Sequence, residues 1–433
     1  MTEINKWKLP KSAEDLPQSI PYSNDLSVLS TPVTVSGKTI PNRFVYQPME
    51  GCDSTAEGEP GELTKRRYRR FAAGGAGLIW FEATAVLPEA RANPRQAYIT
   101  PQTKDAFAAL VDEMKEICLK ENGYEPIVIC QLTHSGRYSK PNGFPKPLIA
   151  YHNPIFEQNA PIPDSAIVSD EYLDRVSEAL TNGAQLAKEA GFDGADIKSC
   201  HRYLLSELLS AYTREGRYGG SYENRTRMLR ETVTNAISLC GNDFIITSRF
   251  NAFDGFPHPY GFGASETVGV PDLTEATQLV SDLQKAGMQL FNVTMGNPYV
   301  NPEVNRPTVM GTADPAAATA RLLNGAGELR RSHPDATIIS SGMSFGGICS
   351  PQIAAGGIEK GLFDLAGFGR LTFAYPDLAR DIVKNGIFDS SKVCLTCGKC
   401  TELMRSGRTP GCVIRDTEIY ATLYKELLTE RKN

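Results

Sequence analysis

Four cysteines crowd into 19 residues near the end of the chain: Cys394, Cys397, Cys400 and Cys412, spaced C-x2-C-x2-C-x11-C. Thiolates are soft ligands, and four of them complete one all-cysteine site, which zinc and an iron–sulfur cluster both accept. Structural zinc ribbons more often show two paired C-x-x-C knuckles. Three closely spaced cysteines with a remote fourth favour [4Fe-4S], and spacing alone leaves both open. The other six, Cys52, Cys118, Cys130, Cys200, Cys240 and Cys349, stand singly and read as small buried side chains. With no secretion signal at Met1, ten cysteines are not a disulfide framework.

The elements that must position such groups are legible as a rhythm. Short apolar, β-branched or aromatic runs recur at 43–47, 77–83, 126–132, 192–197, 244–250, 289–294, 336–341 and 363–368. Amphipathic segments separate them, as at 105–121 and 174–191, and Gly191 and Gly287 suit helix C-termini. Eight strands alternating with helices predict an α/β protein, a closed (β/α)8 TIM barrel, followed by a cysteine-rich segment. An open doubly wound sheet would favour G-x-G-x-x-G after its first strand, and here PMEGCDST follows instead. The expected organisation is an irregular extension over 1–25, the barrel over 26–385, and a metal-binding segment with a terminal helix over 386–433.

A barrel places chemistry at the C-terminal ends of its strands. The candidates are Met49 and Glu50, Ala83 and Thr84, Gln131 and His134, Lys198 and His201, Arg249, Gly342, and Gly369 with Arg370. The glycines of SSGMSFGG (340–347) and GFGR (367–370), with the fork-shaped cation of Arg370, suit a phosphate. The Pro- and aromatic-rich segment 139–165 is expected to lid the mouth. Composition sets limits: the formal charge of −5 argues against nucleic-acid partners, and no apolar run spans a membrane. The expected location is the cytoplasm. A homo-oligomer is compatible with the sequence.

At these residues the sequence resembles the Old Yellow Enzyme family of FMN-dependent oxidoreductases. The likeness is carried by HRYLLSELLSAYTREGRYGGSYENRTRMLRE (201–231), NRFVYQPM (42–49), GGAGLIWFEATAV (74–86), QLTHSGR (131–137), ITSRF (246–250) and GFGRLTFAYPDL (367–378). The four cysteines narrow it to the branch similar to bacterial 2,4-dienoyl-CoA reductase and trimethylamine dehydrogenase, which hold a [4Fe-4S] cluster after the barrel. The resemblance implies FMN, with Pro48 and Met49 lining it and Ala83 near its ring. Gln131 would meet the pyrimidine edge and Arg249 the N1/O2 locus. Gly342, Met343, Gly369 and Arg370 would hold the phosphate, and Cys394, Cys397, Cys400 and Cys412 the cluster. YGGSYENR reads mainly as a turn into a helix capped by Ser221.

In ene-reductases a hydride reaches the β-carbon of an activated alkene and a tyrosine protonates the α-carbon; Tyr203 matches that tyrosine. His201 fits the family's pair of carbonyl-binding side chains, and Lys198 departs from it. The lysine is expected to stabilise an enolate, contact a substrate carboxylate, or pair with Glu207. Arg202 replaces a usual glycine and is expected to add bulk and charge near the mouth. The expected activity is reduction of a small-molecule alkene, with electrons entering through the cluster from an external flavoprotein or electron carrier, because no nicotinamide-binding domain follows Cys412. The alternatives are an amine dehydrogenase and an electron-transfer subunit without its own substrate.

Overall fold

The structure is a computed structural model, which describes residues 7–431. Eight parallel strands close into a barrel. They are β1 (Phe44–Tyr46), β2 (Leu78–Ala85), β3 (Ile127–Thr133), β4 (Gly194–Ile197), β5 (Ile245–Phe253), β6 (Leu290–Met295), β7 (Thr337–Ser340) and β8 (Leu365–Phe368). β8 pairs with β1, so no edge is left and the open-sheet alternative is excluded.

Alternation along each strand separates two apolar sets. Leu78, Trp80, Ile127, Ile129, Ile245, Leu290, Ile339 and Leu365 form one cluster. Ile79, Phe81, Val128, Cys130 and Leu132 belong to the larger cluster shared with the helices. Val35 and Ile40 join the first set. They come from a hairpin, Val33–Val35 with Lys38–Ile40, that the sequence reading left within the barrel region without strands of its own. The extension before it is irregular except for one short turn of helix, Ala13–Asp15, and its first six residues lie outside the described residues.

Helix ends follow their local chemistry. Ser169 caps Asp170–Glu189 by accepting the Tyr172 N–H at 3.2 Å, so that helix starts four residues before the expected one. Ser221 caps Tyr222–Cys240 in the same way through the Asn224 N–H. Beyond the barrel, short helices Leu378–Val383 and Lys399–Arg405 lead to a terminal helix, Thr417–Glu430. Leu403, Val413, Tyr420 and Leu427 give this end a small core of its own. Asp416 anchors it to the barrel by accepting from Arg66 at 2.8 Å and from Arg70. Among the described residues no helix is long and apolar enough to cross a membrane.

The turn after β4 has the most demanding backbone of the mouth. His201 and Arg202 both have φ of 64°, a left-handed conformation costing a non-glycine residue roughly 1–2 kcal/mol. Arg202 does not project bulk or charge into the mouth as expected. Its side chain is fully buried, pairs with Asp254 at 3.1 Å, donates to the Tyr151 hydroxyl at 2.6 Å and reaches Ser210. The guanidinium also lies over the rings of Tyr151 and Phe156. This buried network holds open a turn that glycine would adopt freely. Replacing Arg202 with Met strands Asp254 without its countercharge, and the expected cost is about 3–5 kcal/mol in urea unfolding.

Candidate active site

A cleft of about 1020 Å³ opens at the C-terminal ends of the barrel strands. Of the residues singled out in the sequence, Pro48, Met49, Ala83, Gln131, Lys198, His201, Tyr203, Arg249, Gly342, Gly369 and Arg370 line it. Met343 does not: its side chain is fully buried in the core, and Ser341 and Ser344 face the cleft beside Gly342. Thr84 and His134 are also absent from the lining. His134 accepts the Gly136 N–H on Nδ1 and meets the Tyr172 hydroxyl on Nε2, so it braces a loop. Segment 139–165 contributes no lining residue. It packs instead behind the β4 turn, where Glu207 accepts from Arg137 and from the Ala150 N–H. The expected alternative of a Lys198–Glu207 pair is therefore excluded.

Buried carboxylates set the floor of the cleft. Asp196 accepts from Gln131 Nε2 at 2.6 Å, from Trp80 Nε1 at 2.8 Å and from the Arg249 N–H at 2.7 Å. That leaves Gln131 one amide proton and its carbonyl oxygen for a ligand. Gln47 and Asn292 exchange amide hydrogen bonds across the barrel at 2.8 and 3.2 Å. The loop after β1 is held from below by Arg67, which pairs with Asp53 at 2.8 Å and Glu82 at 2.5 Å. Glu82 also accepts the Gly51 N–H, and a Cβ on Gly51 would collide with the Arg67 guanidinium. Glycine is required there for the loop to approach the ion cluster.

The cleft is rich in cations that the protein itself does not neutralise. Arg249 is buried, its Nε has no hydrogen-bond partner, and no ion pair reaches it among the described residues. Burial lowers its pKa and that of Lys198. The Lys198 ammonium lies 3.7 Å from the centre of the Tyr203 ring, over its face. Burial, with the charges of Arg249 and Lys198, holds His201 well below the usual imidazole range, so the ring is neutral at pH 7. Its Nε2 lies 3.2 Å from Asn305 Nδ2, which also donates to Thr294 Oγ1 at 2.9 Å and to the Met295 carbonyl at 3.1 Å. The Tyr203 hydroxyl donates to Glu50 Oε2 at 3.2 Å and touches the Tyr299 hydroxyl at 3.2 Å.

Tyr299, Asn305 and Arg306 went unnoticed in the sequence. All three lie after β6, the one strand end not searched, although the rule that located the others applies equally to NVTMGNPYVNPEVNRP (292–307). Arg306 ties this loop to the C-terminal segment by donating to Thr401 Oγ1 at 2.7 Å.

Cys394, Cys397, Cys400 and Cys412 line a second, smaller pocket of about 380 Å³. Two of its sulfurs accept backbone N–H groups: Cys394 from Thr396 at 3.4 Å and Cys412 from Arg415 at 3.3 Å. Among the described residues no three His, Cys, Asp or Glu side chains converge closely enough for one metal ion. The expected ligand set lines one pocket, but its side chains are not gathered as a metal site. Arg370, Phe373 and Cys400 line both pockets. The six scattered cysteines are all buried, as expected.

The chain is 32% identical to the NADPH dehydrogenase of Geobacillus sp. (strain WCH70) over 276 residues, covering 62% of this chain and 73% of that one. It is 35% identical to the NADPH dehydrogenase of Bacillus pumilus (strain SAFR-032), with the same coverage. Its fold matches that of a 2-naphthoyl-CoA reductase complex with a TM-score of 0.77 at 19% identity, over 92% of this chain. This chain spans only 58% of that reductase's length. The old yellow enzyme homologue from Zymomonas mobilis matches with a TM-score of 0.61 at 20% identity, over 83% of this chain and 94% of its own. Residues 28–388 match the NADH:flavin oxidoreductase / NADH oxidase family, and the chain belongs to this Old Yellow Enzyme family of flavin-dependent oxidoreductases.

Proposed function

We propose that the protein is an FMN-dependent ene-reductase that reduces an activated C=C bond and draws its electrons through a [4Fe-4S] cluster. The observation that carries the reading is the convergence of Tyr203, neutral His201 and Lys198 on one wall of a cleft whose floor holds the unneutralised Arg249. FMN fits the residues present. Arg249 offers an unpartnered buried guanidinium to an electron-rich ring edge, and Gln131 keeps a free carbonyl and one N–H. Gly342, Ser344, Gly369 and Arg370 offer a phosphate cradle. A four-iron cube holds its sulfurs further apart than the roughly 3.8 Å of a tetrahedral zinc site. Cys394, Cys397, Cys400 and Cys412 line one pocket, with N–H groups aimed at two sulfurs, and such N–H donors suit the sulfurs of a cluster.

Bound and reduced, FMN would supply the hydride for the alkene β-carbon, and the cluster would pass single electrons. The protein's own residues do the remainder. Lys198 and the neutral His201 ring offer positive charge and an N–H donor to a substrate carbonyl as enolate charge develops, each worth about 2.7–4 kcal/mol when well placed. Tyr203 gives its proton to the α-carbon. Arg370, Phe373 and Cys400, shared by the two pockets, make the wall through which cluster and flavin would communicate. An amine dehydrogenase would need an aromatic face for a cationic substrate, and Lys198 already occupies the face of Tyr203.

Two measurements test this reading. Anaerobically purified protein is expected to show a flavin spectrum overlaid by broad cluster absorption, with four iron and four sulfide per FMN. Zinc in their place removes the cluster. Tyr203→Phe is expected to lower alkene turnover about 10²–10⁴-fold while FMN reduction by the electron donor is unchanged. Full turnover on every enone tried would remove Tyr203 as the proton donor.

The reductant is separable too. An external flavoprotein or small carrier would deliver electrons at the rim beside exposed Leu395. The name of the relatives carries the competing reading that NADPH reduces the flavin directly. In stopped flow, NADPH alone is expected to reduce the holoprotein slowly and incompletely. Rapid, complete reduction would exclude the carrier.

A further inference from the structure

Glu50 is a carboxyl side chain lining the cleft, and neither the family motifs nor the mechanism above uses it. We infer that Glu50 is the proton store behind Tyr203, returning a proton to the phenol after each alkene reduction. The inference rests on the ene-reductase reading and adds the step that reading leaves open. Tyr203 is buried, and the groups its hydroxyl touches are the Glu50 carboxyl and the Tyr299 hydroxyl, both at 3.2 Å. Of these two, the carboxyl is the acid strong enough to serve a phenolate. Glu50 Oε1 accepts from Asn93 Nδ2 at 3.1 Å, so a proton on the carboxyl belongs on Oε2, the oxygen facing Tyr203. The 3.2 Å contact, in which Tyr203 donates to the ionised carboxyl, reverses when Glu50 carries the proton, and the phenolic proton is then free for substrate.

The step balances without further reagents. Bound FMN, once reduced, would supply the hydride, with its two electrons, to the β-carbon. The Tyr203 O–H bond breaks and a C–H bond forms at the α-carbon. The Glu50 O–H bond then breaks as the Tyr203 O–H re-forms, leaving a carboxylate that recovers its proton from water in the open cleft. Neither side chain is oxidised or reduced.

The surroundings of Glu50 favour this direction of transfer. Lys198 and Tyr203 face it from the β4 turn, Tyr299 from the loop after β6, Asn93 from the loop after β2, and Cys52 from its own loop. Burial raises the carboxyl pKa, and the pull of Lys198 and the bonds from Tyr203 and Asn93 only partly offset it. Burial and the neighbouring Glu50 charge push Tyr203 well above the usual phenol range. A phenolate formed here therefore takes the proton from the carboxyl readily, and Lys198 is in place to steady the carboxylate.

The test uses FMN- and cluster-loaded protein, an artificial reductant and 2-cyclohexenone under anaerobic conditions. Only protonated Glu50 can donate, so wild-type turnover is expected to fall as pH rises through the raised carboxyl pKa. Glu50→Gln, which keeps the Asn93 and Tyr203 contacts but carries no transferable proton, is expected to lose about 10²-fold in kcat with little change in KM. Its pH profile is expected to be flat over that range, and Glu50→Asp to restore part of the rate together with the falling limb.

A Glu50→Gln enzyme that retains the limb, whether turnover is lost or kept, overturns the inference, because a structural role would slow the enzyme without erasing the titration. If that variant fails to retain FMN, the wild-type profile decides. A limb that is absent, or that shows no solvent deuterium isotope effect, overturns the inference equally. Reduced wild-type protein that no activated alkene reoxidises overturns the ene-reductase reading itself. Reoxidation without a Glu50-dependent limb sinks the proton store alone.

Discussion

Asp254 is the knot on which the mouth of this barrel depends. Its carboxylate accepts from Arg202 at 3.1 Å, from Asn251 Nδ2 at 2.7 Å and from the Phe262 N–H at 3.0 Å. Its backbone carbonyl accepts from Asn301 Nδ2 at 2.9 Å. One residue therefore joins the β4 turn, the end of β5 and the loop after β6. Asn251 extends the knot by donating to the Gly296 carbonyl and accepting the His201 N–H. A buried carboxylate is tolerable only when its lone pairs are met by well-placed donors, and this one is met on every side. The left-handed pair His201–Arg202 persists because the network leaves it no alternative. Tyr203 follows directly, so the placement of the proposed proton donor is set by charges that never face the cleft.

The same low dielectric acts in the opposite sense on the cleft wall. Lys198, Arg249, Arg306 and Arg370 line it against a single carboxylate, Glu50. Burial and the nearby charge of Arg370 lower the Arg306 pKa to about 10, a sign that positive charge there is under stress. A site that gathers cations without neutralising them is preorganised for anionic or electron-rich ligands, and a phosphate or a reduced isoalloxazine edge answers that description. Neutral His201 belongs to the same logic, since burial, reinforced by the charges of Arg249, Lys198 and Arg306, keeps a second proton off the ring.

Much of the fold was legible because parallel strands buried on both faces must be apolar, and such runs survive in a sequence as isolated peaks. The strand ends then named ten of the residues that line the cleft by position alone. What escaped has identifiable causes. The hairpin Val33–Val35 with Lys38–Ile40 is too short to show a period, and its burial comes from the barrel floor it meets. His134 and Arg202 sit at positions where chemistry was expected, yet their side chains turn inward, a choice made by partners distant in sequence such as Tyr172 and Asp254. Met343 illustrates the converse, since its neighbours on either side reach the cleft while it faces the core. The Arg137–Glu207 pair needed two residues seventy positions apart, and no local pattern announces it.

The two pockets are not independent constructions. Arg306 and Arg405 both donate to the Pro298 carbonyl, at 2.9 and 2.7 Å, and Arg370 donates to that of Pro307 at 2.9 Å. The loop carrying Tyr299 and Asn305 is thus fastened by cations from the C-terminal segment and from β8. On the proposed reading, the segment that holds the cluster also shapes the wall against which substrate binds. A barrel of this family without that segment would have to close its mouth by other means, whatever its source of electrons. The shared residues Arg370, Phe373 and Cys400 then serve one physical end: they keep the cysteine-lined pocket next to the cleft in which Tyr203, Lys198 and Glu50 stand.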